Sequence, residues 1–210
     1  GDDGHRAAAR PAGRRGGGEA WVGLCGGLSG GAGGGGGARP GGAKLGWWAE
    51  ELEGWSRGIR RHPLGLVLQK HPAPWGKLAA CLPALHASRV HPPELEAALL
   101  ALQPVAEALA GVARQLFDAA TPAPARNIEV SLLAERVLRS TGRATLQDDA
   151  DSRAWARSLL MQWPRPRHGS RPGRIHAAIV RGRLQHFVHG KPPVLSRFKT
   201  LALAWRAARG

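Results

Sequence analysis

Apolar residues recur at helical spacing through the middle of the chain. Between residues 93 and 163 they fall at steps of three and four, which places each set on one face of a helix. The pattern predicts four helices, around residues 95–102, 105–116, 128–137 and 155–163. Asn127 is a candidate N-cap for the third of them. Because the connections are short, we expect a mainly α fold with a small antiparallel helical bundle as its core at 93–163.

A further helical face precedes this region. Its members are spaced by four, three and four residues: Trp48, Leu52, Trp55 and Ile59. We expect Pro63 to end this helix, because the residue before a proline disfavours helical backbone. The pattern that follows is mixed, and Pro83 separates two short apolar pieces. We interpret residues 47–92 as a Trp-containing helix followed by an irregular Pro-rich connector.

Glycine dominates the start of the chain. Glycine makes up eleven of the 17 residues from 26 to 42, and it loses more backbone freedom on ordering than any other residue. The large apolar residues near this run, Trp21, Leu24 and Leu28, are too few to compensate for that entropy. We therefore predict that residues 1–46 are a disordered Gly-rich segment.

The end of the chain combines prolines, glycines and cations. Residues 164–174 are typical of an extended tether, and residues 175–188 fit a helix or a hairpin equally well. From residue 194 we expect a short basic amphipathic helix. Its predicted apolar face contains Leu195, Phe198, Leu201, Ala202 and Trp205. We interpret residues 164–210 as a basic C-terminal arm that ends in this amphipathic helix.

Charge separates the two parts of the chain. All fifteen acidic residues lie before residue 152, and thirteen of the fifteen units of net positive charge lie from that residue onward. A surface of one sign attracts polyanions, and arginine suits bidentate contacts with phosphate. The sequence therefore predicts a non-catalytic nucleic-acid-binding module, for RNA more than for DNA. Such a module also suits a larger ribonucleoprotein assembly.

The candidate contacts with the RNA or DNA backbone lie in the predicted arm. The residues expected to bind phosphate are Arg165, Arg167, Arg171, Arg174, Arg181 and Arg183. The residues expected to stack on bases are Phe187 and Trp205, because aromatic rings among cations are typical of proteins that bind single strands. In this interpretation the bundle positions the arm, and the arm contacts phosphate.

Two other readings of the basic arm stay open. A basic amphipathic helix also suits the groove of a partner protein or an anionic membrane surface, with Phe198 and Trp205 as anchors. The chain has 25 arginines against five lysines, and its commonest residues have GC-rich codons. In the second alternative, the positive charge reflects this nucleotide composition, and the chain is a poorly selected product without a defined function.

The sequence predicts no catalytic residue, no cofactor and no metal site. Its serines, histidines and carboxylates lack the arrangements that these functions require. We interpret Cys25 and Cys81 as free thiols in a reducing, intracellular compartment, and the sequence does not identify that compartment, with the nucleus and an organelle both left open. No apolar run approaches the ~18 residues of a transmembrane helix.

Two blocks of the chain resemble a known helical module. Residues 127–133, Asn-Ile-Glu-Val-Ser-Leu-Leu, and residues 154–163, Ala-Trp-Ala-Arg-Ser-Leu-Leu-Met-Gln-Trp, are similar to the N-terminal module of transcription elongation factors of the S-II type. The resemblance implies a compact helical unit over about residues 95–163. It carries no functional residue of that family onto this chain.

Overall fold

The protein is almost entirely helical. A computed structural model of the chain describes residues 13–32, 41–88, 94–117, 123–140, 146–164 and 168–209. These residues form ten helices and no strand, so the predicted mainly α class is confirmed. The helices are α1 (Gly13–Ala32), α2 (Gly41–Ser56), α3 (Pro63–Leu68), α4 (Trp75–Ala87), α5 (Leu95–Leu100), α6 (Gln103–Phe117), α7 (Ala125–Ser140), α8 (Leu146–Met161), α9 (Arg171–Val188) and α10 (Arg197–Arg209).

The apolar core draws on nearly every helix. Helix α2 packs along α4, α4 on α6, and α6 on α7, and α9 then contacts both α7 and α8. The four helices predicted for residues 93–163 are present as α5 to α8, but they share their core with α1, α2, α4 and α9. Helix α10 packs on α9 and contributes no buried residue.

Helix α1 corrects the prediction of disorder at the start of the chain. It is rich in glycine, yet Trp21 and Leu28 are buried on it. A Cβ at Gly27 would lie only 2.8 Å from the Trp48 indole of α2. The missing side chain lets the two helices approach closely, and this burial offsets the low helix propensity of glycine. The remaining residues up to 40 lie outside the described part of the chain.

Helix α2 ends earlier than predicted. Gly58 has a φ of 81°, a left-handed conformation that favours glycine. The N–H of Ile59 donates to the Gly54 carbonyl at 2.8 Å, which closes the end of the helix. Ile59 therefore lies outside α2 and is 56% exposed, so its predicted place on the Trp face is wrong. The other members of that face, Trp48, Leu52 and Trp55, are buried.

A buried carboxylate holds the chain that follows α2. Glu51 accepts hydrogen bonds from the Trp55 indole and from the backbone N–H groups of Arg61 and His62, each at 2.8 Å. Burial alone would raise the pKa of Glu51, but these hydrogen bonds outweigh it and lower the pKa. The turn after α2 is thus fixed to the helix, and it is less irregular than the sequence indicates.

The structure also corrects one local prediction, at Pro83, and resolves an open alternative at residues 175–188. Helix α4 continues through Pro83, so the two separate pieces predicted there form one helix. Its apolar residues, including Leu78 and Leu82, are buried against neighbouring helices, which offsets the hydrogen bond that proline removes. Residues 171–188 form helix α9, which excludes the alternative of a β-hairpin over residues 175–188.

Candidate functional site

The carboxylate-free end of the chain folds into a helical hairpin. Ser170 begins α9, because its Oγ accepts from the N–H of Gly173 at 3.3 Å. Gly190, with a φ of 69°, ends α9, and the N–H of Lys191 donates to the His186 carbonyl. The chain then turns back along α9 as α10. We call residues 168–209 the basic hairpin.

A glycine at the centre of the hairpin brings its two helices together. A Cβ at Gly182 of α9 would lie 2.7 Å from Leu203 and 3.3 Å from Leu195. Both leucines therefore lie against the glycine backbone and cover α9. Leu195 had been predicted on the same face as Phe198 and Trp205, and the structure instead places it on the inner side of the hairpin.

Two of the predicted phosphate contacts hold the hairpin itself. The Arg174 guanidinium donates to the carbonyls of Ala207, at 3.0 Å, and Gly169, at 2.7 Å. Arg183 donates through Nε to the Pro193 carbonyl at 2.9 Å. A cation at the end of α10 satisfies carbonyls that have no partner within the helix. Both arginines are therefore engaged in the fold.

The two predicted stacking residues lie in opposite environments. Phe187 is 6% exposed and belongs to the apolar core, so its ring has no face open to a base. Trp205 is 58% exposed on α10, and the guanidinium of Arg209 lies 3.7 Å from the centre of its ring. An aromatic ring stacked with an arginine is a surface that planar, electron-rich groups can bind.

The other predicted contacts are divided in the same way. Arg171 is exposed at the start of α9. Arg181 is partly buried, and its Nε has no hydrogen-bond partner among the described residues. Arg165 and Arg167 lie outside the described residues, so the site is described without them.

The exposed side of α10 brings together the residues best placed for binding. Phe198 is 87% exposed, Leu201 is 66% exposed, and Trp205 follows one turn later. Their spacing of three and four residues puts them on one face, which we call the outer face of α10. Its cations are exposed as well: Arg197, Lys199, Arg206 and Arg209. Of these four, none was among the predicted phosphate contacts, although their spacing relative to Trp205 was visible in the sequence.

The cations of the outer face lie apart from the carboxylates of the described residues. Across the described residues, no carboxylate lies within ion-pair distance of any arginine of α10. Lys199 Nζ lies 2.7 Å from Nε2 of His186, a neutral acceptor when the histidine is unprotonated. The predicted contrast between a balanced body and a cationic end therefore remains at α10.

A carboxylate of the body contacts α9 instead. Glu135 of α7 is 8% exposed, and it lies 3.0 Å from His176 of α9 and 3.2 Å from Arg139. Burial alone would raise the pKa of Glu135, but the hydrogen bond and charge of His176, together with Arg139, lower it. This ion-pair cluster fixes α9 to α7 and leaves α10 outside it.

Comparisons with known proteins add no further assignment. No family model, curated protein or solved structure matches the chain. In the part of the chain that the structure describes, no group of three or more potential ligands could hold a metal ion. None of the described helices combines the length and apolar character needed to cross a bilayer.

Proposed function

We propose that this protein binds single-stranded RNA, without catalysing a reaction, through the outer face of α10. The observation that carries the proposal is an exposed Trp205–Arg209 stack in a segment that contains no carboxylate. The proposed contact set differs from the set predicted from sequence. It keeps Trp205 and Arg171, it adds Phe198 and the cations of α10, and it omits the arginines that hold the hairpin.

The charge of this surface supports an anionic polymer as the ligand. Arg197 lies at one end of α10, while Arg206 and Arg209 lie near the other. A helix rises about 1.5 Å per residue, so these cations span roughly 18 Å along the surface. That length suits several consecutive phosphates, and each contact releases a bound counterion.

The aromatic residues favour a single strand over a duplex. Phe198 and Trp205 are separated by two helical turns, or about 10 Å. Bases that are not paired can stack on such rings, and stacking contributes about 1–3 kcal/mol per base. Paired bases within a duplex have no free face to offer. Stacking on both rings also requires no particular base, so we expect weak sequence preference.

Binding of a fluorescein-labelled oligouridylate to the full chain, followed by fluorescence anisotropy, tests this proposal. Log affinity should fall with log salt concentration, with a slope of about −0.7 per phosphate contact. Replacing Arg197, Arg206 and Arg209 by Glu should weaken binding about tenfold or more. Trp205→Ala should weaken it by about fivefold or more, because one stacking surface is lost.

A matched triple variant separates local contacts from net charge. Arg57, Lys70 and Lys77 are exposed on the body and have no ion pair among the described residues. Replacing these three by Glu changes the net charge of the protein by the same amount. Equal losses of RNA affinity in the two triple variants would contradict a site on α10 and would indicate a diffuse charge effect.

A second candidate function is docking of α10 on an anionic membrane surface. It is favoured by the exposed aliphatic residues Leu201 and Val194, the latter 71% exposed, which contribute little to nucleic-acid binding. A partner protein's groove would use the same apolar residues. Phe198, Leu201 and Trp205 lie beside the cations of α10, as apolar residues do in helices that lie at membrane interfaces.

Two leucine variants, each tested for binding to vesicles and to RNA, distinguish the two candidate functions. Leu201 and Leu100 are equally exposed, at 66%, but Leu100 lies on α5, away from the basic hairpin. Leu201→Ala should reduce binding to phosphatidylserine vesicles severalfold if α10 docks on membranes, while Leu100→Ala should not. If RNA is the ligand, Leu201→Ala should weaken oligouridylate binding far less than Trp205→Ala does, Leu100→Ala should leave it unchanged, and neither leucine variant should bind vesicles.

A further inference from the structure

A cavity of about 90 Å³ lies beside the start of α9, and no residue of α10 lines it. It is lined by α1, α6, α7 and the start of α9, together with residues just before α7 and α9, and it is partly open to solvent. Most of its wall is apolar, with Trp21, Leu109, Ile128 and Leu132 as the large contributors. Native cores rarely leave voids larger than a water molecule, so a space of this size is a feature of the fold.

Small residues on facing helices create this space. Ala110 and Ala113 line it from α6, and Ala177 lines it from α9. An engineered apolar cavity of about 150 Å³ binds benzene, so about 90 Å³ suits a ligand of at most one small ring. A larger apolar residue at any of these three positions would close the space.

One hydrogen-bond acceptor within the cavity wall has no partner. Oδ1 of Asn127 is buried and accepts no hydrogen bond from the described residues. Asn127 is the third residue of α7, so it does not cap the helix as the sequence predicted. A buried carbonyl oxygen without a donor costs about 1–3 kcal/mol, which a donor supplied by a ligand would recover.

Most other polar groups at the cavity are engaged or lie at its edge, but Ser29 Oγ is also buried without a hydrogen-bond partner among the described residues. Ser131 Oγ donates to the backbone carbonyl of Asn127 at 2.8 Å, and Arg174 and His176 make the contacts described above. Arg114 and His168 are exposed. Asn127 Oδ1 can only accept, and the Ser29 hydroxyl can accept as well as donate, so the described wall suits a neutral molecule with a hydroxyl or N–H.

We infer that this cavity binds a small apolar molecule of one ring that donates a hydrogen bond to Asn127 Oδ1. The site is separate from the proposed RNA surface and does not depend on it. Phenol is a suitable probe, and toluene is its matched control, since the two have nearly the same size but toluene has no donor.

Isothermal titration calorimetry of the full chain with each probe tests the inference. Phenol should bind, and Asn127→Leu should lower the ratio of phenol to toluene affinity by about tenfold, because the buried hydroxyl then lacks an acceptor. Ala113→Leu should abolish binding of both probes by filling the space. If Ala113→Leu fails to fold, as judged by circular dichroism, Ala177→Leu fills the cavity from the facing helix.

The rates at which the two cysteines are chemically modified show where the probe binds. Cys25 lines the cavity, whereas Cys81 lies on α4 and does not. Saturating phenol should slow modification of Cys25 by a small neutral thiosulfonate reagent at least severalfold, and should leave Cys81 unchanged, as measured by mass spectrometry. Ala113→Leu should remove this protection.

Three outcomes would overturn the inference. If neither probe binds and Cys25 gains no protection, the cavity holds water only. If the affinity ratio is the same in Asn127→Leu, the hydrogen bond to Asn127 is not made. If phenol still binds and protects Cys25 after Ala113→Leu and Ala177→Leu, the ligand lies elsewhere.

Discussion

Helices α9 and α10 have similar sequences in chemical terms but opposite places in the molecule. Both are basic, and neither contains a carboxylate. Helix α9 buries Val180, Leu184 and Phe187 in the core, while α10 buries none of its thirteen residues. The difference shows that a high density of arginine does not by itself mark a binding surface.

The comparison also shows how arginines are divided between structure and surface. On α9, Arg174 and Arg183 donate to backbone carbonyls of the hairpin. On α10, Arg209 lies over Trp205, and Arg206 faces solvent. An arginine that donates to these carbonyls cannot also contact an RNA phosphate, and so displace a counterion from the RNA, without loosening the hairpin. The cations that remain for a ligand are therefore mainly those of α10.

The largest expected effect separates the two helices by stability. Leu184→Ala on α9, a fully buried residue, should lower the free energy of unfolding by about 2–5 kcal/mol, since it leaves a cavity. Leu201→Ala on α10 should change it by less than about 0.5 kcal/mol. Urea denaturation measures both. Similar losses in the two variants would mean that α10 is also buried in solution.

The next prediction concerns the arginines that hold the hairpin. Arg174→Ala should lower the free energy of unfolding by about 1–3 kcal/mol, because its carbonyl partners lose a charged donor. Its RNA affinity should stay close to that of the parent chain. Arg171→Ala is the matched control on the same helix, and its stability should change by less than about 0.5 kcal/mol. Thermal melts measure the stability of each variant, and anisotropy titrations measure its RNA affinity.

Acid should weaken the attachment of α9 to α7. Because the pKa of Glu135 is lowered in the folded protein, its contribution to stability is present above the ordinary glutamate pKa of about 4.3 and is lost as pH falls through the lowered value. Glu135→Gln should therefore reduce the fall in unfolding free energy between about pH 5 and pH 3. Glu53→Gln, at an exposed site, serves as the control, and an equal reduction there would contradict the role of Glu135.

The smallest effect concerns a single cation of the outer face. Arg206→Ala should reduce the magnitude of the salt slope for RNA binding by about 0.7, as one lost phosphate contact requires. Arg57→Ala on the body should leave the slope unchanged. Anisotropy titrations at several salt concentrations give both slopes. An unchanged slope in Arg206→Ala would remove this residue from the proposed site.

Local sequence patterns were sufficient where a helix buries one regular face. The Trp48, Leu52 and Trp55 face and the helices of residues 95–161 follow from spacing alone, because burial repeats with the helical period. The outer face of α10 was also visible in this way. What spacing could not show was which side of α10 faces α9, since both sides carry apolar residues.

The candidate site needed information from distant residues. Phe187 and Trp205 are both aromatic residues among cations, and their sequence surroundings do not distinguish a core ring from an exposed one. The roles of Arg174 and Arg183 depend on carbonyls 33 and 10 residues away. The open acceptor of Asn127 became apparent only when α1, α6 and α9 closed around it.

The sequence by itself determined that this protein is helical, because apolar periodicity is a local property of the chain. It also determined that positive charge is concentrated at one end, because composition does not change on folding. Tertiary structure alone decided that glycine-rich α1 is a helix, since its packing depends on Trp48 of another element. It likewise decided which arginines stay available to a ligand, because each hydrogen-bond partner comes from a segment brought near only by folding.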